Sequence, residues 1–308
     1  REFAWAEHAV QSEGYNLPAT RVFAHLSLGG RYNEMFNGVT SFLATKDLAL
    51  NYEAKEEQFL AALGTMSSLL FNKNNLLLAV TADGQEIGHL GKIGSCISDA
   101  LPDSPVKSYS LPELPLARHE AFITAAEVVF AVQGGNLLPN GMGYNGHFEV
   151  LKTYLSRDYL WNTVRQLGGA YGCFIQFGQI SGNLAFVSYR DPQVKKTYDA
   201  YNGVPDIVAG LDLPKKVMEQ LIIGTYGHFD PLRSAAAKGA TARNDYLNGI
   251  DIEYKQQRLS EITATTPADL RSFAPAFADM IPRSYRTIIG NRNKIEADQS
   301  LFDTLTEL

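Results

Sequence analysis

Two short apolar segments, residues 171–177 and 184–189, constrain the fold of this chain more than any other feature. They contain the aromatic and β-branched residues that favour strands, and Ser181-Gly182 between them is typical of a turn. We therefore predict that the two segments pair as an antiparallel hairpin.

Helical patterns and further short apolar segments alternate along the rest of the chain. Residues 147–165 have apolar side chains at helical spacing, and this long helix should end at Gly168-Gly169. Short apolar runs predict additional strands at 76–82, 125–132 and 285–290. The mixture of long helices with short strands predicts an α+β protein.

A proline-rich segment, residues 101–115, predicts a linker between two domains, because it contains four prolines among serine and aspartate. The order helix, strand, glycine-containing turn, helix occurs before it at 56–101 and again at 266–308. Two related α+β units in tandem would explain this repetition. The alternative is that the same order recurs by chance, as it can in any protein of helices and strands.

Composition suits a globular protein and excludes several classes. The chain has 308 residues, of which 45% are hydrophobic and 19% are charged, which is enough for a sizeable core. Its net charge of −6 argues against a dedicated nucleic-acid-binding protein, and we expect no nucleic-acid partner. We also expect no membrane span, because no apolar run approaches the required length. The chain begins at Arg1 as if it were cut from a longer polypeptide.

Most signatures of catalytic sites are absent from the sequence. The six histidines are scattered without an HExxH or HxxEH motif, and there is no GxSxG or GxxxxGK[ST] motif. The glycines at 141–146 match GxGxxG, but they do not directly follow a predicted strand, so a structural loop is favoured over a nucleotide site. We expect Cys96 and Cys173 to be small buried side chains in a reducing compartment, the cytoplasm or an organellar matrix. The alternative is one disulfide between them.

The segment 165–172 has the most interesting chemistry. Arg165 ends the long predicted helix, small residues follow it, and Tyr171 begins a strand. A guanidinium and a phenolic hydroxyl on the two sides of a tight bend suit the binding of a peptide carbonyl and of the oxyanion formed from it. The alternative is that Arg165 only interacts with the helix dipole and that Tyr171 packs in the sheet.

The same segment resembles a known family, the presequence-protease branch of the pitrilysin/insulinase metallopeptidases. The resemblance covers nearly the whole chain and is thinner before the linker. The residues that carry it are Tyr144-Asn145-Gly146-His147, Leu160-Trp161, Arg165, Gly168-Gly169-Ala170-Tyr171-Gly172, Ser188-Tyr189-Arg190-Asp191-Pro192 and Ile223-Gly224-Thr225, with Arg31-Tyr32-Asn33-Glu34 and Asn37-Gly38-Val39 in the first half.

The resemblance implies the C-terminal half of a clamshell enzyme that degrades unfolded peptides. Such halves consist of tandem α/β roll units with antiparallel-rich sheets covered by helices. Residues 1–115 would be the incomplete third unit with its linker, and residues 116–308 the fourth unit. Arg165 and Tyr171 match the two positions that bind substrate and oxyanion in this family.

The resemblance also implies what this chain lacks. The zinc ion of these enzymes belongs to an N-terminal half with an HxxEH motif, so no cofactor is expected in this chain and zinc is expected in the complete enzyme. The N-terminal zinc-bearing half, on the same polypeptide or on a separate subunit, is then the expected partner, and peptides are the substrates. The alternative function is a stand-alone, non-catalytic partner subunit of a zinc peptidase.

Overall fold

The described residues form two units that are each built from separate stretches of the chain. The computed structural model describes residues 3, 7, 8, 10, 14–106, 108–139, 143–229 and 231–308. The first unit comprises the described residues of Arg1–Lys46, Leu111–Asp230 and Gln256–Leu308. The second comprises those of Asp47–Ser110 and Pro231–Lys255.

A six-stranded sheet with the strand order β3-β4-β2-β5-β1-β6 forms the centre of the first unit. Its strands are β1 (His119–Thr124), β2 (Val129–Asn136), β3 (Gly172–Phe177), β4 (Asn183–Tyr189), β5 (Tyr285–Asn291) and β6 (Thr304–Glu307). The pairs β3–β4, β4–β2 and β2–β5 are antiparallel, whereas β1 pairs in parallel with both β5 and β6. The sheet is therefore rich in antiparallel pairs, as expected.

The helices account for most of the remaining regular structure. They are α1 (Asn16–Ala24), α2 (Leu28–Asn37), α3 (Val39–Leu50), α4 (Tyr52–Leu70), α5 (Ile87–Asp99), α6 (Gly146–Tyr154), α7 (Lys195–Asn202), α8 (Val204–Ala209), α9 (Lys215–Phe229), α10 (Ala235–Asn248), α11 (Ile252–Thr263), α12 (Pro267–Arg271), α13 (Ala274–Met280) and α14 (Arg292–Ala297). Two π-helical segments, Leu155–Tyr159 and Trp161–Leu167, follow α6.

The predicted hairpin is confirmed. Strands β3 and β4 pair from Gly172 opposite Tyr189 to Phe177 opposite Leu184. Gly182 in the connecting turn has a φ of +70°, and a Cβ there would lie 1.7 Å from the carbonyl oxygen of Leu138. Only glycine fits this turn, because the conformation and the close approach of another backbone both exclude a side chain.

Other boundaries differ from the prediction. The strand predicted at 125–132 begins at Val129, and the chain before it forms β1, which the sequence pattern did not reveal. After β5, the helix α14 ends at Ala297, and the chain then adds β6 at the edge of the sheet.

Helices cover both faces of this sheet because side chains alternate along its strands. On β4, Ala185 and Val187 form a buried cluster with Val22 of α1. Phe186, between them in sequence, points to the opposite face and stacks on Tyr201 of α7, with 5.2 Å between ring centroids. The α+β class with a sheet covered by helices is thus confirmed.

A buried ion cluster ties α1 and α2 to the sheet. The Arg21 guanidinium donates two hydrogen bonds to Glu120 of β1, at 2.6 and 2.8 Å, and one to Glu34 of α2 at 2.9 Å. The Glu34 side chain is fully buried, and burial raises the pKa of its carboxyl even though Thr40 and Arg21 donate to it. A single guanidinium thus neutralises two carboxylates that water does not reach freely.

The second unit contains α4, α5 and α10 and has no strand among its described residues. The strand predicted at 76–82 is wrong: this segment has no ladder partner, and side chains such as Leu77 and Val80 are exposed. A short apolar run predicts a strand only where a second strand is available to pair with it. The two stretches of the proposed repeat therefore differ. Residues 266–308 contain β5 and β6, whereas residues 56–101 contain no strand.

No helix in the described part of the chain combines the length and the apolar character that crossing a membrane requires.

We predict that Arg21→Met lowers the free energy of unfolding by about 3–5 kcal/mol, because two buried carboxylates lose their partner while the apolar stem is kept. Urea denaturation followed by circular dichroism measures the change. Arg283→Met is the control, because its ion pair with Asp279 is exposed and should contribute less than about 1 kcal/mol. Equal losses in the two variants would contradict the assigned role of the cluster.

Candidate active-site cleft

An open cleft in the first unit brings Arg165 and Tyr171 together. Its volume is about 540 Å³, and it is lined by Arg165, Gln166, Gly169, Ala170, Tyr171 and Arg190. These residues come from the end of the second π-helical segment, from the turn before β3 and from the position directly after β4. None of these described lining residues is acidic, so the cleft has an excess of positive charge.

Arg165 is presented by a helix that changes its winding. The chain is α-helical to Tyr154 and then mostly π-helical to Leu167. The long helix predicted for 147–165 is therefore confirmed in its extent, although its second half is not an α-helix. Segments of π-helix are rare and occur often at functional sites, because they rotate the following side chains relative to the preceding turns.

A glycine with a left-handed backbone allows the sharp turn from this helix into β3. Gly169 has a φ of +87°, and a Cβ there would lie 3.2 Å from Pro192. Its N–H donates to the carbonyl of Arg165 at 2.9 Å, and the N–H of Ala170 donates to Val164 at 3.1 Å. These bonds satisfy carbonyls at the helix end and fix the backbone between Arg165 and Tyr171.

Aromatic rings hold the Arg165 guanidinium. Its central carbon lies 3.8 Å from the centroid of the Trp161 ring and 5.8 Å from that of Tyr171. Both distances are within the range of cation–π attraction, and the shorter one has the guanidinium against the indole. Sequence reasoning gave no role to Trp161, although its spacing of four residues before Arg165 is the available signal.

Tyr171 lies at the mouth of the cleft rather than within the sheet. Its side chain is 67% exposed, and its ring packs edge-on against Tyr189 with 5.6 Å between centroids. Its backbone N–H donates to the carbonyls of Tyr189 at 3.1 Å and of Arg190 at 3.3 Å. The backbone is thus tied to β4 while the ring remains accessible from solvent.

Arg190 reaches the same cleft through a shift in strand register. Val132 of β2 pairs with Val187, whereas Val129 pairs with Asp191. Two residues lie between these pairs on β2 and three on the other strand, so the other strand has one extra residue and forms a β-bulge. Within this bulge Arg190 has a φ of +48°, and it is the only non-glycine residue with a positive φ among the described residues.

A buried aspartate holds the chain after the bulge. Asp191 exchanges two backbone hydrogen bonds with Val129, at 2.9 and 2.8 Å. Its carboxylate accepts from the hydroxyl of Thr197 at 2.7 Å and from the N–H of Gln193 at 2.8 Å. Burial raises the pKa of this carboxyl despite these bonds. An Asp-Pro pair is typical of a helix start, but α7 begins at Lys195, and Asp191 instead fixes the turn that precedes it.

The alternative glycine-rich site is not supported where the structure describes it. Gly141 and Met142 lie outside the described residues. Gly146 begins α6, and its N–H donates to Glu261 at 2.7 Å. A carboxylate of the protein itself thus occupies the helix N-terminus at which a nucleotide phosphate would bind.

The histidines and cysteines form no second site in the described residues. No group of three or more His, Cys, Asp or Glu side chains there is placed to hold a metal ion. Both thiols are free. Cys173 is buried as expected, and burial raises its pKa to about 12, whereas Cys96 is exposed, contrary to the expectation.

Three matches to known proteins indicate the family of this chain. The profile described as PreP C-terminal domain matches residues 119–290. Protein HypA of Clostridium perfringens is 30% identical over 302 residues, which cover 97% of this chain and 30% of that protein. Presequence protease 1, chloroplastic/mitochondrial, of Arabidopsis thaliana is 29% identical over 293 residues, which cover 94% of this chain and 27% of that protein.

Among solved structures, this chain matches a peptidase M16 inactive domain from Pseudomonas fluorescens. It is 11% identical, with a TM-score of 0.47, and the match covers 67% of this chain and 51% of the other.

The chain spans about 30% of the length of the curated relatives it matches. The matched profile covers more than half of the chain, including all the residues that line the cleft. The chain therefore belongs to the presequence-protease branch of the pitrilysin/insulinase peptidases and carries the C-terminal domain of that family.

Proposed function

We propose that this chain is the metal-free, substrate-binding half of a zinc peptidase that degrades unfolded peptides. In the assembled enzyme, Arg165 and Tyr171 donate hydrogen bonds to the substrate. The observation that carries the proposal is that both side chains line one open cleft, with 5.8 Å between the guanidinium carbon and the tyrosine ring.

The described residues offer no site for the zinc ion. In the part of the chain that the structure describes, no three His, Cys, Asp or Glu side chains lie close enough together to hold a metal ion. A catalytic zinc needs about three such ligands. We assign the zinc to the N-terminal half, on the same polypeptide or on a partner subunit. The contribution of this chain consists of binding and of hydrogen-bond donation.

Arg165 and Tyr171 bring different donors to a peptide carbonyl. The guanidinium donates charged N–H groups from a plane held against Trp161, and the phenol donates one O–H. When the carbonyl oxygen becomes negative, both hydrogen bonds strengthen, because a charged acceptor binds a donor more strongly than a neutral one. Donors that are already in place thus favour the transition state over the bound substrate.

We also propose that residues 116–308 form the fourth roll unit of the family and residues 1–115 the last part of the third. All six strands of the described residues lie between His119 and Glu307, which supports a boundary near residue 115. The compact units follow a different division, because residues before Lys46 pack with the sheet.

We predict that Arg165→Ala and Tyr171→Phe each lower the kcat of peptide hydrolysis by the assembled peptidase about 10²–10³-fold, the usual loss for one oxyanion donor. Steady-state kinetics with a fluorogenic peptide measure the effect. Arg165→Lys should recover little of the loss, because an ammonium group lacks the planar fork of donors.

The matched controls are Lys216→Ala and Tyr226→Phe, which remove an exposed charge and an exposed phenolic hydroxyl on α9. Both should retain the parental kcat. Parental kcat in Arg165→Ala and Tyr171→Phe would refute the proposed role of the two side chains in catalysis. It would favour the alternative, a non-catalytic partner subunit.

We predict that Trp161→Ala lowers kcat/KM about fivefold, because the Arg165 guanidinium loses a cation–π contact of about 1 kcal/mol that orients it. Trp161→Phe should restore much of the loss, since a smaller ring still offers a π face. The melting temperature serves as the second measurement. A loss of activity that follows the melting temperature, and that Phe does not rescue, would assign Trp161 a purely structural role.

A further inference from the structure

The cleft contains a second arginine whose position is not explained by the binding of a single carbonyl. Arg190 lines the cleft together with Arg165 and Tyr171. Its guanidinium carbon lies 5.6 Å from the centroid of the Tyr189 ring, and its side chain is exposed. The described residues provide neither Arg190 nor Arg165 with a carboxylate partner.

The backbone at Arg190 does not require an arginine. A φ of +48° is adopted readily by glycine and asparagine, whereas it is uncommon for a long side chain. The hydrogen bonds that maintain the bulge come from the backbone of Asp191 and from its carboxylate, not from the Arg190 side chain. An unfavourable conformation that neighbouring residues maintain is a frequent property of ligand-binding positions.

The bulge also determines where the Arg190 side chain lies. Without the extra residue, regular pairing would continue from Val187 towards the start of β2, and successive side chains would alternate between the two faces of the sheet. The extra residue breaks this alternation, and bulges commonly redirect a side chain towards a site. Here the redirected side chain carries a positive charge into a cleft that already contains one.

Two guanidinium groups without an acidic lining residue favour an anionic ligand. Arginine matches a carboxylate with two parallel N–H···O bonds, and two arginines provide more donors than one carbonyl oxygen accepts. A ligand with a carboxylate would neutralise the excess charge of the cleft, whereas an uncharged peptide segment would leave it.

We propose that Arg190, beside Arg165, forms a binding site for a carboxylate of the peptide substrate. This inference rests on the proposed function, because it takes a peptide as the ligand. The carboxylate is either the C-terminal group of the peptide or an acidic side chain, and both have the same chemistry. Arg190 is then a specificity-determining residue. It selects peptides with an acidic side chain, or it selects the C-terminal end of a peptide, for binding in the cleft.

The test is a binding measurement on the 308-residue chain with short, fluorescein-labelled, N-acetylated peptides. One peptide has a free C-terminus and no acidic residue, and a second is identical but C-terminally amidated. A third and a fourth are amidated and carry either one internal Glu or the matching Gln. Fluorescence anisotropy gives the Kd of each, and far-ultraviolet circular dichroism reports whether each variant is folded.

We expect the peptide with the free C-terminus to bind about fivefold more tightly than the amidated peptide, because one partly exposed ion pair contributes about this much to affinity. The preference should weaken as salt is added, because salt screens the attraction. If the acidic side chain is the ligand, the same ratio will separate the Glu peptide from the Gln peptide. Arg190→Asn should abolish the preference, because asparagine tolerates the positive φ but carries no charge. Lys216→Gln, which removes an exposed charge on α9, should leave it unchanged.

Equal Kd values for all four peptides on the unaltered chain would overturn the proposal without the use of any variant. A preference that persists in folded Arg190→Asn would overturn the role of Arg190. The proposed function fails separately: parental kcat in Arg165→Ala and Tyr171→Phe refutes it whichever peptides bind.

Discussion

The positions of Arg190 and Tyr171 in the cleft depend on how the chain directly after β4 is tied to the start of β2. Asp191 exchanges two backbone hydrogen bonds with Val129 and buries its carboxylate under the turn that leads to α7. This pairing requires the one-residue bulge that turns Arg190 outward. The carbonyls of Tyr189 and Arg190 then accept the N–H of Tyr171, so both walls of the cleft share one set of backbone bonds.

The π-helical end of the long helix completes this arrangement from the other side. Arg165 carries a long side chain that would otherwise sample many rotamers in water. Contact with Trp161 at 3.8 Å removes part of that freedom before any ligand binds. A flat guanidinium held on a flat indole presents its donors in a fixed plane, and a lysine at the same place would provide a mobile point charge. The geometry therefore explains the choice of residue as well as its location.

Sequence reasoning predicted what depends on local pattern and missed what depends on distant partners. The hairpin of β3 and β4, the long helix and the pair Arg165–Tyr171 follow from alternation, helical spacing and glycine placement. The bulge at Arg190 does not, because one extra residue is visible only when the opposite strand is known. The run at 76–82 has strand composition but no partner among the described residues, and Asp191 has helix-capping chemistry but is used to fix a turn.

The openness of the cleft is consistent with half of a site. A hydrogen bond or ion pair in water contributes little, because solvent competes for the donors and its high dielectric constant weakens the attraction. The same donors contribute several-fold more once a second surface excludes water around a developing negative charge. Tyr171 is 67% exposed, and the six residues that line the cleft include two positive charges. Under the proposed function, such a surface binds weakly by itself and contributes to catalysis when the zinc-bearing half closes over it.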